Sequence, residues 1–355
     1  MTVVDRELLM SDETPPSHAI ELKPRRSRLG RLMGVRVLGI GSGVPDNLIR
    51  NEDLAALGYD ADWIVQRTGI LARRHAEPGV ATSDLAVEAA RRCIEHAEVD
   101  PEQIDLLLVG TYTPDLLLPA TANLVQDRLG LRAPAMDIQA ACASFIYAMI
   151  TGMQYVASAC SRLALVIGAD CNSRVVNPAD RRTYPLFGDA AGAVLLGPGE
   201  EDQGLLSYAV GSDGSGADLL CRPIGGSLEP FSRDGEEPVG HFLHMEGRPI
   251  FKWAVRMLQE TVREVLDHAH LTLADVDLII FHQANMRILN TVMKELKVER
   301  DRVFTNLERY GNTSAGSIPL ALDEAFREGR IRRGNHVLFS GFGAGLAWGT
   351  VLMRW

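Results

Sequence analysis

An α/β fold made of two similar halves is what this sequence predicts, on three observations. From Val35 onward, short apolar runs of strand length alternate with longer amphipathic runs of helix length, as in layered α/β architectures. Segments of the first half recur in the second at a nearly constant offset. Hydrophobic residues make up 46% of the 355-residue chain, enough for a large core. Yet no apolar run approaches the ~20 residues needed to span a membrane.

Residues 1–33 read as a flexible extension. An acidic, proline-containing start leads into Lys23-Pro24-Arg25-Arg26-Ser27-Arg28. The apolar core of roughly 7–15 residues that marks a secretory signal is missing. Two halves are expected after it, 34–205 and 206–355. Next in order comes Gly39-Ile40-Gly41-Ser42-Gly43, which has glycine spacing like a dinucleotide loop. Pro45 and the lack of a helical pattern after it argue against nicotinamide binding. The strand-like Asp105-Leu106-Leu107-Leu108-Val109 is matched by Asp277-Leu278-Ile279-Ile280-Phe281, 172 positions on. Leu165-Val166-Ile167-Gly168 is matched by Leu338-Phe339-Ser340-Gly341 at a shift of 173, and Ala193–Leu196 by Thr350–Met353.

Two helices follow the same plan. The run from Ala143 to about Ala157 is apolar almost all round, with Phe145, Ile146, Met149, Ile150, Met153, Tyr155 and Val156, which marks a central helix. Its partner, from Ser314 to about Glu328, sets Ile318, Leu320, Leu322 and Ala325 against Asp323, Glu324 and Arg327.

A formal net charge of −10 disfavours nucleic acid as a partner, and no membrane association is expected. Five cysteines, an odd number without metal-ligand spacing, point to a reducing, cytoplasmic setting and to no metal site.

The chemistry is expected at three separated residues. Cys142 lies where a short strand gives way to the apolar helix, and the positive end of a helix dipole favours thiolate. His282 closes an apolar strand in Phe281-His282-Gln283-Ala284-Asn285, and Asn312 lies in Tyr310-Gly311-Asn312-Thr313-Ser314-Ala315. Their side-chain N–H groups suit negative charge on a thioester oxygen. Cys142 and Asn312 are 170 apart, at nearly equivalent places in the halves. Two central helices related by a pseudo-twofold axis would aim their N-termini at one point. The combination indicates acyl-thioester chemistry.

These motifs, with Phe187-Gly188-Asp189-Ala190-Ala191-Gly192 and the terminal Gly341-Phe342-Gly343-Ala344-Gly345-Leu346-Ala347-Trp348-Gly349, resemble the β-ketoacyl-acyl-carrier-protein synthase III family of the thiolase superfamily. The resemblance runs from about Val35 to Trp355. A thiolase would carry a second late cysteine, an elongating ketosynthase two histidines, and a hydroxymethylglutaryl-CoA synthase a glutamate base.

The resemblance implies a five-layered αβαβα thiolase fold, a homodimer, and condensation of an acyl-CoA starter with malonyl-acyl carrier protein. No cofactor is implied beyond the CoA thioester substrate. Cys142, His282 and Asn312 would be catalytic, with the backbone N–H groups of Cys142 and Ala344 as oxyanion donors. CoA would meet Trp63 and Arg181 at its adenine, Arg67 and Arg287 at its phosphates, and Gly247, Phe251 and Asn285 along pantetheine. Lys252, Arg287 and Lys294 would form a basic rim for the acidic carrier. In relatives that prefer acetyl-CoA, a phenylalanine before the proline matching Pro119 closes the partner subunit's acyl pocket. Leu118 stands there in this chain, which implies a roomier pocket. Two alternatives differ in class: a related ketosynthase or acyltransferase of specialised metabolism, and a silent partner subunit, in which the cysteine would be lost.

Overall fold

The computed structural model describes residues 27–231 and 239–355. Two five-stranded sheets and the helices around them account for most of it. In chain order the first half holds β1 (Arg28–Met33), β2 (Val35–Gly43), the short hairpin strands β3 (Leu48–Arg50) and β4 (Ala72–Arg74) flanking α1 (Ala61–Thr68), α2 (Thr82–Ala97), β5 (Leu106–Gly110), α3 (Thr121–Leu129), β6 (Ala135–Ile138), α4 (Ser144–Ala157), β7 (Ala164–Cys171) and β8 (Asp189–Pro198). The second half holds β9 (Gly204–Ser212), the short pair β10 (Leu220–Cys221) and β11 (His244–Met245), α5 (Gly247–Ala269), β12 (Leu278–Phe281), α6 (Met286–Leu296), α7 (Leu307–Tyr310), α8 (Ser317–Arg327), β13 (His336–Gly343) and β14 (Ala347–Arg354).

The strand orders are β2-β8-β7-β5-β6 and β1-β9-β14-β13-β12. Within each sheet the pairs β5/β7 and β12/β13 are parallel, and β7/β8 and β13/β14 antiparallel. The predicted duplication is therefore one of topology. Even the two matched aspartates do the same work. Asp105 accepts the Arg162 and Leu163 N–H groups at the entry to β7, and Asp277 accepts the His336 N–H at the entry to β13.

Strand alternation divides the interior into three cores. Leu106 and Leu108 point with Phe145, Met149 and Met153 of α4 into a central core that also takes Ile280, Phe339 and Val351 of the second sheet. Leu107 and Val109 point the other way, onto α2 and α3. Ile279, Phe281 and Leu338 pack outward on α5 and α6. The layers therefore run helix, sheet, helix, sheet, helix. Each large apolar side chain of α4 contributes roughly 1.5–3 kcal/mol through burial, which explains why the sequence leaves that helix almost no polar face. Among the described residues no helix is long and apolar enough to cross a membrane.

Two expectations need adjustment. Residues 1–26 of the proposed extension lie outside the described residues, but Arg28–Met33 form β1, an edge strand antiparallel to β9. Its sequence hid this because arginines occupy exposed positions and Gly30 interrupts the pattern, where a Cβ would meet the Tyr208 ring at 2.4 Å. The boundary expected at 205/206 falls inside β9. The glycines of Gly39-Ile40-Gly41-Ser42-Gly43 serve packing: they alternate along β2 under α2, and a Cβ on Gly39 or Gly41 would lie 2.4 or 2.5 Å from Cys93 backbone atoms.

Candidate active site

Cys142 occupies a one-turn 3-10 segment, Ala141–Ala143, between β6 and α4. The same turn, Ser314–Gly316, precedes α8, and the two begin with residues in the left-handed region, Ala141 (φ 47°) and Ser314 (φ 51°). This alignment fixes the offset at 173 around the site. The counterpart of Asn312 is therefore Gln139 rather than Cys142, three residues from the equivalence read in the sequence. Gln139 and Asn312 both line the central cavity.

His282 leaves the end of β12 with its N–H bonded to the Ser340 carbonyl at 2.8 Å. Asn312 follows α7 and is fixed by two backbone bonds, its N–H to Leu186 O (2.8 Å) and its carbonyl from Gly188 N–H (3.0 Å). Gly343, at the end of β13, closes on the nucleophile turn so tightly that a Cβ there would lie 2.6 Å from the Cys142 nitrogen. Three segments far apart in sequence thus converge.

They converge on a cavity of about 420 Å³ whose wall includes Cys142, His282, Asn312, Gly343 and Ala344. His282 and Asn312 are each tied at one end. The His282 Nδ1 lies 2.6 Å from Ser317 Oγ, and the Asn312 Oδ1 accepts the Ser314 N–H at 2.9 Å. Nε2 of the histidine and Nδ2 of the asparagine remain for a ligand. Phe342 meets the imidazole edge to face, with ring centroids 5.5 Å apart.

Electrostatics depart from the sequence expectation at Cys142. Burial pushes its thiol up to about 12, with the nearby Asp170 carboxylate adding to the rise and the Ser314 hydroxyl, 3.3 Å from Sγ, opposing it. The helix start does not make a resting thiolate here, because desolvation outweighs the dipole. Burial likewise pushes His282 down to about 3, so the imidazole is neutral.

Several residues of this constellation escaped the sequence reading. Ser317 is one, five positions past Asn312. Ser314 was inside the quoted motif but carried no role. Asp170, a carboxylate ending the apolar β7, accepts from Thr111 Oγ1, the Tyr112 N–H and the Ala315 N–H at 2.9–3.0 Å, and burial raises its pKa. An acid at the end of so apolar a strand was the available signal. Cys221 and Arg222 also line the cavity, on a stretch with no recognisable pattern.

Among the residues expected to hold CoA, Gly247, Phe251 and Asn285 line the cavity. Asn285 caps α6 by accepting the Arg287 N–H, and the exposed Arg287 guanidinium lies 6.0 Å from the Phe251 ring centre. Trp63 and Arg67 are exposed neighbours on α1, with Arg67 5.7 Å from the indole centre. The C-cap of α1, Gly69, rests on Met286 at the start of α6, so this pair lies beside Arg287. Arg181 stacks 6.0 Å over Tyr59. None of these four charged or aromatic residues is in the cavity wall. Lys252 and Lys294 are exposed on α5 and α6. Leu118 is 86% exposed and outside this chain's own cavity, whereas its neighbour Leu117 lines it.

Known proteins resemble this chain along most of its length. Models described as 3-oxoacyl-[acyl-carrier-protein] synthase III and its C-terminal part match residues 136–214 and 266–355. A β-ketoacyl-[acyl-carrier-protein] synthase III of Rhodopirellula baltica is 54% identical over 92% of this chain and 100% of its own length. The chain belongs to the β-ketoacyl-acyl-carrier-protein synthase III family. Members of this family are acyl-transferring condensing enzymes, and the five layers described above are their thiolase fold. The solved synthase III of Thermus thermophilus superposes with a TM-score of 0.85 at 41% identity, covering 90% of this chain and 98% of that one. A priming β-ketosynthase of the R1128 polyketide pathway, at 36% identity and a TM-score of 0.84, covers 92% and 98%. Synthase III architecture thus serves pathways beyond fatty-acid synthesis.

Proposed function

We propose that this chain joins an acyl-CoA starter to malonyl-acyl carrier protein by decarboxylative Claisen condensation, the step that begins fatty-acid synthesis. The observation that carries the reading is the pair of tethered donors, His282 and Asn312, sharing a cavity wall with a cysteine at a helix start. In the first half-reaction Sγ of Cys142 attacks the thioester carbonyl. The Sγ–C bond forms, the bond to CoA sulfur breaks, and the thiol proton ends on CoA. The Cys142 and Ala344 N–H groups would receive the oxyanion.

In the second half-reaction malonyl loses CO2, and the electron pair left behind makes an enolate. With Ser317 Oγ–H as the donor to Nδ1 of His282, the imidazole proton sits on Nε2. That N–H and Nδ2–H of Asn312 would hold the enolate oxygen while its carbon attacks the acyl group. Cys142 sulfur leaves and recovers a proton from solvent. The thioester is a substrate, and the residues described need no further group. With its pKa pushed down to about 3, this imidazole is too weakly basic to take up a proton and suits a donor better than a general base. A silent subunit would have no use for Cys142, so that alternative loses support.

Pantetheine would pass Gly247, Phe251 and Asn285, with Arg287, Arg67, Trp63 and Arg181 at the outer end for phosphates and adenine. Lys252, Arg287 and Lys294 would guide the acidic carrier. Lys252→Glu is expected to raise the KM for malonyl-acyl carrier protein several-fold at low salt, with the difference shrinking as ionic strength rises. Kinetics with the carrier that are unchanged at every salt concentration would remove Lys252 from the docking rim.

A homodimer would give the exposed Leu116, Leu117 and Leu118 a covered surface and bring Leu118 to the partner's acyl pocket. Incubation with a panel of acyl-CoAs, read by intact mass, identifies the starter and tests the reading. Short branched or medium chains are expected to load, and Leu118→Phe should shift loading toward acetyl by roughly 10–200-fold per methylene discriminated. Acetyl-only loading in the wild type, unaltered by Leu118→Phe, would overturn the pocket assignment.

A further inference from the structure

We infer that the Ser314 hydroxyl is a catalytic group, donating a hydrogen bond to Cys142 Sγ as the sulfur gains charge. It is fully buried with its Oγ 3.3 Å from Sγ. The fold itself asks only for a residue that tolerates the left-handed bend. The counterpart position, Ala141, meets that demand with φ 47° and no hydroxyl. A serine at φ 51° in the second half supplies something the bend does not need.

The surroundings explain the need. The groups facing Cys142 are the Asp170 carboxylate at the end of β7, the phenol of Tyr112 after β5, and the neutral His282 ring. Asp170 and the negatively charged sulfur repel each other, and the cation on the cavity wall, Arg222, acts on the Tyr112 phenol. Ser314 also opposes the rise that burial gives the pKa of Asp170. The hydroxyl already faces sulfur in the thiol state, and its bond strengthens when the thiol becomes thiolate. Ser314 keeps its proton throughout, and the thiol proton leaves for CoA. The backbone of the same residue has a separate task, since its N–H holds the Asn312 side chain. The side chain thus serves the sulfur and the main chain the asparagine.

The acyl part of this inference rests on the condensation reading, whereas the thiol part does not. The test is therefore alkylation of Cys142 by iodoacetamide across pH, resolved by peptide mass because Cys160 and Cys221 also react. Ser314→Ala and Ser314→Gly both delete the hydroxyl. Alanine is tolerated in this conformation at Ala141, and glycine relieves any strain, so at least one variant will fold. Both should alkylate about ten- to a hundredfold more slowly at pH 8, the worth of one hydrogen bond to a charged group. Their profiles should also move to higher pH by about one unit or more. Acyl loading should fall in parallel, and condensation by enzyme already loaded should slow as well, because Cys142 sulfur leaves bearing charge in that step. Wild-type alkylation profiles in both variants would overturn the role. Failure of the wild type to load any acyl group would count against the condensation reading alone.

Discussion

Replacing Cys142 by alanine is expected to abolish acyl-enzyme formation, with loading reduced by about 10⁴-fold or more, the scale of deleting a covalent nucleophile. The side chain removed is small and sits at the cavity surface, so the fold should hold and thermal unfolding should change little. A second thiol shares the cavity wall, that of Cys221 on β10. It stands on an element that brings neither His282 nor Asn312, and its own turn lacks the helix start behind Cys142. Cys221→Ser should therefore load normally, which makes it the control. Intact mass after incubation with acyl-CoA measures both. A Cys142→Ala protein that still gains one thioester-labile acyl group would sink the nucleophile assignment.

His282→Ala and Asn312→Ala should separate the half-reactions in the opposite sense. Each is expected to load acyl groups nearly as well as the wild type and to condense ~10²–10³-fold more slowly, the usual cost of one oxyanion donor. The double variant should lose less than the product of the two, since both donors act on one oxygen. The pH dependence is part of the same expectation. A histidine with its pKa pushed down to about 3 is neutral on both sides of pH 6.5, and it takes up a proton only far below the working range. Condensation should then show no inflection from His282 between about pH 5.5 and 8, where an unperturbed histidine would titrate. An inflection there that disappears in His282→Ala would show a protonated imidazole at work. Equal loss of loading and condensation would mean the roles are divided wrongly.

Much of this was readable from residues alone, for identifiable reasons. Strand and helix periods report burial directly, so the all-round apolar face of α4 announced a helix between two sheets. The duplication was visible because both halves bury equivalent strands. Cys142, His282 and Asn312 stood out because each occupies an element end where a polar group must have a purpose. What stayed hidden depends on distance rather than pattern. An offset of 170 or 173 cannot be told apart until the turns are superposed, and that difference decides whether Asn312 mirrors Cys142 or Gln139. Desolvation of the thiol is set by what covers it, including Asp170 from another strand. Ser317 and Ser314 acquire their partners only when α8 meets β12 and α4. The alternating glycines of β2 looked like a nucleotide signal because close helix packing and close phosphate approach both demand the absence of a side chain.

β1 belongs to the first half by sequence and to the second by pairing, along the register from Arg28 against Val210 to Met33 against Gly204. It acts as a guard rail. Without it, β9 would present a row of unpaired N–H and C=O groups, a template on which a strand of another molecule can assemble. A protein shortened to Val35 would keep every residue of the cavity and still acquire a sticky edge. Solubility and self-association, rather than turnover, are the properties that those six residues govern.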